Sequence, residues 1–352
     1  MRNLNTYQKI AIIMIMIIIL SEITISFPFF IKNPDFKILN YNGSAIEYKI
    51  SAGSYPLELQ IVFLSAEREP IIRTVYIYYD PEYQRAGVPK KQARGLVDHI
   101  PSELKIRKYE GEIHIVNATA LVDLLLDIHS ANQSILVITT GAFPDTVYTL
   151  DKNLIKPWIE AGGILFWIGD TFAYYSAEKS KKELNWNDPR HPKDEGRVKF
   201  FGTKDIIIKL QRGTIASVES EYSKALHLLY PYISRGINIT KLKSMNGKIL
   251  GKIGEKSTSI ALLPLGNGSI IIFGGEMHKR DEWIIAKDIA QIITSGILDY
   301  KNINIIGFKK YSLDRNEELK DIFLIEKDHQ SQAIIIFIFQ SNDEPVFFKI
   351  LE

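Results

Sequence analysis

The sequence predicts an α/β protein: a doubly wound, mostly parallel sheet, a small antiparallel β-domain built from both chain ends, and an N-terminal transmembrane helix. Three observations carry this expectation. The runs Ile135–Ile138 and Ile164–Ile168 are solidly apolar, as strands buried on both faces are, and the span between them suits a right-handed βαβ crossover. From Asn302 onward, strand follows strand with no helix between them, the mark of antiparallel sheet. Residues 10–31 are almost wholly apolar.

The N-terminal element comes first. Arg2 and Lys9 precede the run Ile10–Leu20, and SEITISFPFFI follows. This fits an uncleaved signal anchor over residues 1–31, with Glu22 near the outer interface, or a secretory signal cleaved after Ser26. The anchor is the preferred reading, and makes the chain a single-pass membrane protein with its C-terminal bulk extracytoplasmic. The alternative is a secreted protein. N-x-S/T sequons make Asn42, Asn117, Asn132 and Asn238 glycosylation candidates, in keeping with export; Asn267 matches too but lies in a Gly-Asn-Gly turn.

Residues 36–70 read as a β-region, with strands over Phe36–Lys49 and Leu57–Ser65, and Gly53, Ser54 and Pro56 as punctuation. The α/β pattern occupies 74–298. TVYIYYD is a strand in which Tyr76, Tyr78 and Tyr79 are packing residues. Lys90–Leu104 and Ala118–Ser130 carry helical periods on either side of a strand at Glu112–Val116. The central strands Ile135–Ile138 and Ile164–Ile168 follow. A long polar, aromatic segment with Pro189, Pro192 and Gly196 comes next, of the kind that is usually functional or mobile. A strand at Asp205–Leu210, a helical stretch at Glu219–Leu229 and a Gly266-Asn267-Gly268 hairpin lead to an amphipathic helix over Asp281–Leu298. Residues 302–352 hold four strands, Ile303–Phe308, Ile322–Glu326, Ala333–Gln340 and Val346–Ile350, expected to pair with the 36–70 region.

Composition excludes several functions. A formal net charge of +2 gives no general electrostatic ground for nucleic-acid binding. With no cysteine there is no disulfide, zinc–thiolate site or Cys nucleophile. No H-E-x-x-H or similar spacing suggests a metal, and no cofactor is implied.

The order strand, Thr140-Gly141-Ala142-Phe143-Pro144, helix, Gly162-Gly163, strand, Gly169-Asp170 resembles the class I glutamine amidotransferase-like fold. The later Gly-Asn-Gly-Ser turn, the strand Ile270–Phe273 and Gly274-Gly275-Glu276-Met277-His278 are similar to its closing hairpin. The resemblance implies that Gly141 stands where active members place an oxyanion glycine. It also places the nucleophile turn at Trp167-Ile168-Gly169-Asp170-Thr171, which has neither thiol nor serine. His278 stands near the catalytic histidine, but Arg280 occupies the place of its Glu companion. The resemblance therefore implies a non-catalytic member, a group that includes membrane-tethered ectodomains.

Two sets of site residues follow. Asp170 could serve as general base or carboxylate nucleophile, with His278 as partner and the Gly141 N–H as oxyanion donor. In the plainer reading, Asp170 caps the turn after its strand. The ligand-binding candidates are Gly141, Thr171, Tyr174, Tyr175, Trp186, Arg190 and His191. Aromatic faces beside convergent hydrogen-bonding groups suit carbohydrate or peptide recognition. Lys179–Lys182 reads as a solvated turn. The expected function is a membrane-anchored extracytoplasmic binding or scaffolding protein for carbohydrate or a partner protein. The alternatives are a hydrolase acting on a sugar or amide through Asp170 and His278, and an accessory subunit of a membrane complex.

Overall fold

A computed structural model describes residues 35–66, 72–275, 281–298, 304–326, 333–340 and 345–351. The chain divides into two compact units, Ala66–Ile305 and Met1–Ser65 with Ile306–Glu352.

Three strands come first, β1 (Asp35–Tyr41), β2 (Ala45–Ser51) and β3 (Leu57–Ala66). Then follow β4 (Thr74–Tyr78), α1 (Lys90–Ile106), β5 (Ile113–Val116), α2 (Ala118–Leu126) and β6 (Ser134–Ile138). Next are β7 (Phe143–Pro144), α3 (Ile155–Glu160) and β8 (Ile164–Trp167). A long excursion holds β9 (Ser176–Ala177), α4 (Lys193–Phe201), β10 (Ile207–Lys209), α5 (Glu221–Ala225) and β11 (Arg235–Asn238). It continues through α6 (Ile239–Ser244), β12 (Lys248–Ile249) and β13 (Ser257–Thr258). The hairpin β14 (Ile260–Leu265) and β15 (Gly268–Phe273) and helix α7 (Glu282–Thr294) precede β16 (Asn304–Leu313), β17 (Glu318–Leu324), β18 (Ala333–Gln340) and β19 (Pro345–Leu351).

In the unit spanning Ala66–Ile305, the main sheet has the order β12-β14-β15-β8-β6-β4-β5. The five strands from β15 to β5 run parallel, with β14 and β12 antiparallel at one edge. Strand β4 crosses over to β5 on one side, whereas β6 crosses to β8 on the other. Right-handed crossovers in opposite directions put their helices on opposite faces. Leu136, Ile138, Leu165, Trp167, Ile270 and Ile272 accordingly share a core with the apolar faces of α2 and α3. Their alternates Ile135, Val137, Phe166 and Ile271 are equally buried on the other face, and α1 packs against α7. Burial on both faces is why β6 and β8 read as unbroken apolar runs. Asn117 caps α2 by accepting the Ala120 N–H at 3.0 Å.

The other unit pairs the two chain ends in two sheets, β1-β2-β17 and β16-β3-β18-β19. Ile46, Tyr48 and Ile50 of β2 face Leu59, Ile61 and Phe63 of β3 and Ile334, Ile336 and Ile338 of β18 in one core, a small β-sandwich. The Phe63 and Phe323 rings stack with centroids 3.8 Å apart. Asp321, Lys309, Tyr48 and Tyr311 form a polar cluster beside this core: the Lys309 ammonium reaches Asp321 at 2.9 Å, and Tyr311 donates to the same carboxylate. Burial pushes Asp321 up, but these bonds outweigh it and hold its pKa near 2.

The fold-class expectation needs correction. A single doubly wound sheet with one small β-domain does not describe the chain, which is mixed α/β with five sheets among the described residues. Two of the extra sheets, β7-β9 and β10-β11-β13, lie in the long connections after β6 and β8. Connections of that length must satisfy their backbone N–H and C=O groups, and do so by short strand pairings, within the second connection for β10-β11-β13 and between the two for β7-β9. Nor is there a transmembrane helix among the described residues: none is long and apolar enough to cross a membrane. The segment expected to span it, residues 10–31, lies outside the described residues, as do the other residues up to 34. The single strand expected over Phe36–Lys49 is two, because the Asn42 side chain accepts N–H bonds from Ser44 (3.0 Å) and Ala45 (2.8 Å) and folds a turn there.

One buried carboxylate gives this unit-scale architecture a pH dependence. Asp288 of α7 is fully buried, and its oxygens accept the N–H groups of Leu229 (3.0 Å) and Tyr230 (2.8 Å). Burial pushes its pKa up to about 7, against the opposing pull of these bonds. A pKa raised on folding means that the native state holds the proton more tightly than the unfolded chain. The resulting stability is fully present below about pH 4 and is lost as pH rises through about 7. Urea midpoints should therefore fall across that interval in the wild type, and Asp288→Asn should flatten the fall. Parallel slopes for both proteins would rule out Asp288 as the source.

Candidate functional site

The carboxyl ends of β4, β6 and β8 are where an open parallel sheet offers a crevice. Here the crevice is closed by the chain itself. The segment after β4 lies across it: the Ala86 N–H donates to the Thr140 carbonyl (2.9 Å), and the Ala86 carbonyl accepts the Asp170 N–H (3.2 Å). Gly141 has φ +64°, and a Cβ there would stand 1.8 Å from the Ala86 carbonyl oxygen. Gly169 has φ +128°, and a Cβ there would stand 2.5 Å from the Gly141 Cα. Three loops thus meet backbone to backbone, and a carbonyl oxygen lies against Gly141, where an oxyanion hole would need donors.

Asp170 sits at this junction, 6% exposed. Its Oδ1 accepts from the Thr171 N–H (2.6 Å), the Thr171 hydroxyl (3.2 Å) and Arg235 Nε (2.7 Å), while its carbonyl accepts from Trp167 Nε1 (2.7 Å). A carboxylate so engaged pins the turn after β8 to β11, and is badly placed to take a proton from a substrate. His278, its expected partner, lies outside the described residues.

Beneath the junction, the Phe143, Trp167, Phe172 and Phe200 rings pack edge to face or tilted, with centroids 4.7 to 5.2 Å apart between Phe143 and Trp167, Trp167 and Phe172, and Phe172 and Phe200. This cluster anchors the segment that follows. Thr171 is buried against Asp170, and Tyr175 is buried. His191, also buried, accepts the Ser176 N–H at its Nδ1 (3.2 Å), and burial holds its pKa below the usual value. Tyr174 is half-buried, with the Lys209 ammonium 4.8 Å from its ring centre. Arg190 forks onto Asp188 (2.7 and 3.1 Å) and also reaches Glu178. Of the aromatic ligand candidates, Trp186 differs from Tyr174 and Tyr175 in being 57% exposed, edge-on to Tyr175 at 4.9 Å.

Trp186 borders a cleft of about 330 Å³, together with Arg85, Pro89, Lys90, Lys182 and Glu183. Its two walls are the loop after β4 with the start of α1, and the 180s segment. They are stitched together. Gln84 is buried, donates to the Glu183 carbonyl and accepts the Glu178 N–H (3.1 Å); the Ser180 N–H donates to the Glu82 carbonyl (2.8 Å), and Lys179 pairs with Glu82 (3.1 Å). Arg85, Lys90 and Lys182 were not recognisable as a group from the sequence. Lys182 belongs to a polar run, Arg85 lies almost a hundred positions earlier, and only the β4-to-β9 stitching brings them together. Gln84→Ala removes both part-buried bonds, to the Glu183 carbonyl and the Glu178 N–H, at a cost of about 1–2 kcal/mol. The expected result is faster proteolytic nicking within residues 178–190 than in the wild type; unchanged nicking would show that Gln84 does not hold the wall.

The sequons occupy varied settings. Asn42, Asn117 and Asn132 are exposed, whereas Asn238 is half-buried and caps α6 by accepting the Thr240 N–H (3.0 Å).

No family model matches the chain. An uncharacterized protein of Methanocaldococcus jannaschii is 27% identical over 120 residues, which covers 32% of this chain and 38% of that relative's length. Among solved structures, the chain is similar to an exo-β-1,4-mannosidase from an Opitutaceae bacterium at 14% identity and TM-score 0.34, covering 65% of this chain and 36% of that one. It is also similar to a cytoplasmic protein of Salmonella typhimurium at 10% identity and TM-score 0.36, covering 63% of this chain and 98% of that one. None of these three is described as a glutamine amidotransferase.

Proposed function

We propose that the chain is a binding protein on a catalytically inactive, amidotransferase-like scaffold, with the cleft beside Trp186 as its recognition surface and carbohydrate or a protein segment as its ligand. The closed state of the strand ends supports this reading most. The crevice where such a sheet would carry its chemistry is filled by Ala86, and the carboxylate there is engaged by Thr171 and Arg235. What stays open is a cleft with an exposed indole and charged groups, the equipment of recognition. The apolar run Ile10–Leu20 behind Arg2 and Lys9, with the exposed sequons at Asn42, Asn117 and Asn132, supports a role outside the cytoplasm.

The test pairs binding with turnover. On glycan and peptide arrays, the wild type should retain a ligand that Trp186→Ala loses. Against chromogenic glycosides and amides, wild type and Asp170→Asn should show the same background rate. Turnover that disappears in Asp170→Asn would replace this reading with the hydrolase.

A further inference from the structure

We infer that the ligand of this cleft is an acidic saccharide, a uronic-acid sugar whose ring lies against Trp186 and whose carboxylate meets Arg85, Lys90 and Lys182. The inference rests on the binding reading above and names its ligand class.

Charge is the first observation. Arg85, Lys90 and Lys182 line the cleft against one carboxylate, Glu183. Two cations of the neighbouring segment are neutralised: Lys179 by Glu82 (3.1 Å), and Arg190 by Asp188 (2.7 Å) and Glu178. Lys90 and Lys182 make no ion pair among the described residues. Arg85 donates to the Tyr83 carbonyl (3.3 Å), which orients its guanidinium without cancelling its charge. Uncompensated like charges around one concavity repel each other, and an entering anion relieves that repulsion. The first turn of α1 adds to the same sign, since it holds no acidic residue.

The second observation selects the kind of anion. Polyphosphate cradles use a glycine-rich turn whose N–H groups point at the ligand ahead of a helix. Here the residue before α1 is Pro89, which has no N–H. Gly87 is turned inward, and a Cβ on it would meet the Asp170 backbone nitrogen at 2.8 Å. Side chains therefore supply most of the hold on the anion, beside the N–H groups that open α1, and three flexible cations around an exposed indole suit one carboxylate on a ring with an apolar face. A volume of about 330 Å³ suits one or two sugar rings.

Calorimetric titration with α-1,4-digalacturonate, neutral α-1,4-galactobiose and inorganic phosphate tests this, with Trp fluorescence read in parallel. Digalacturonate should bind at least about tenfold more tightly than galactobiose, and more weakly as salt is raised. Lys90→Gln with Lys182→Gln should cost about tenfold for digalacturonate and leave galactobiose unchanged. Trp186→Ala should weaken digalacturonate and remove the fluorescence change. Equal binding of the two saccharides, displacement of digalacturonate by phosphate at matching concentration, or no saccharide binding would each overturn the inference. If the arrays meanwhile return another Trp186-dependent ligand, the binding reading survives. If they return none, both fall. Matching circular dichroism of the variants, whose substituted side chains are exposed, excludes misfolding as the cause.

Discussion

Gly141→Ala should destabilise the unit spanning Ala66–Ile305 by about 4 kcal/mol, lowering its melting temperature by about 10 °C. Two costs combine. A Cβ at φ +64° is strained by about 1 kcal/mol wherever it stands. At this position it would also lie 1.8 Å from the Ala86 carbonyl oxygen. That atom belongs to backbone already bonded on both sides, to Thr140 and Asp170, so relief requires the β4 loop to leave the strand ends. Gly202→Ala supplies the control. It shares a positive φ of +70° but has nothing within 4 Å of the added Cβ, so it bears only the conformational cost. If the two variants melt together, the loop is free to move and the crevice is not closed in the way described.

Asp170→Ala should cost about 3–5 kcal/mol, the loss expected when one partner of a buried ion pair is removed. The Thr171 N–H, its hydroxyl and Arg235 Nε all donate to the one oxygen that disappears. Asp170→Asn should lose clearly less, because its carbonyl oxygen can still accept from Thr171 and Arg235. Chemical denaturation of the three proteins decides this. A neutral Asp170→Ala would mean that the junction is held by its glycines and aromatic rings alone, and would return Asp170 to consideration as a functional carboxylate. The ordering matters for function: a residue kept for stability shows its loss in unfolding curves, whereas a catalytic residue shows it in rates.

How far the sequence could be read varied with the range of the interaction. The strands Ser134–Ile138 and Ile164–Trp167 were legible, to within a residue, because burial on both faces leaves a continuous apolar run. The β14–β15 hairpin was legible because Gly266, at φ +61°, is local turn chemistry. The helix expected over Ala118–Ser130 stops at Leu126, since Asp127 turns to bond Ser130 through its side chain (2.7 Å). The Asn42 turn was missed because its signal is three side-chain bonds from one residue, easily lost within an alternating β pattern. At the site, Asp170 and Gly141 could be picked out by residue type and position after a strand, and Trp186 as an aromatic residue of the long polar segment. Arg85, Gln84 and Lys90 could not, because nothing local distinguishes a cation that will face a cleft from one that will face water.

By itself, the sequence determined the parallel core strands, the absence of any thiol chemistry and the lack of a charge excess for nucleic acid. These depend on composition and short-range periodicity, which are properties of the chain before it folds. Tertiary structure decided the rest. It set five sheets where one sheet and a β-domain were expected, and pressed Ala86 onto Gly141 at the strand ends. It also tied Asp170 to Arg235 across 65 positions and drew Arg85, Lys90 and Lys182 around Trp186. Contacts between residues so distant along the chain arise from how loops close over a sheet, and loop closure leaves no periodic trace in sequence.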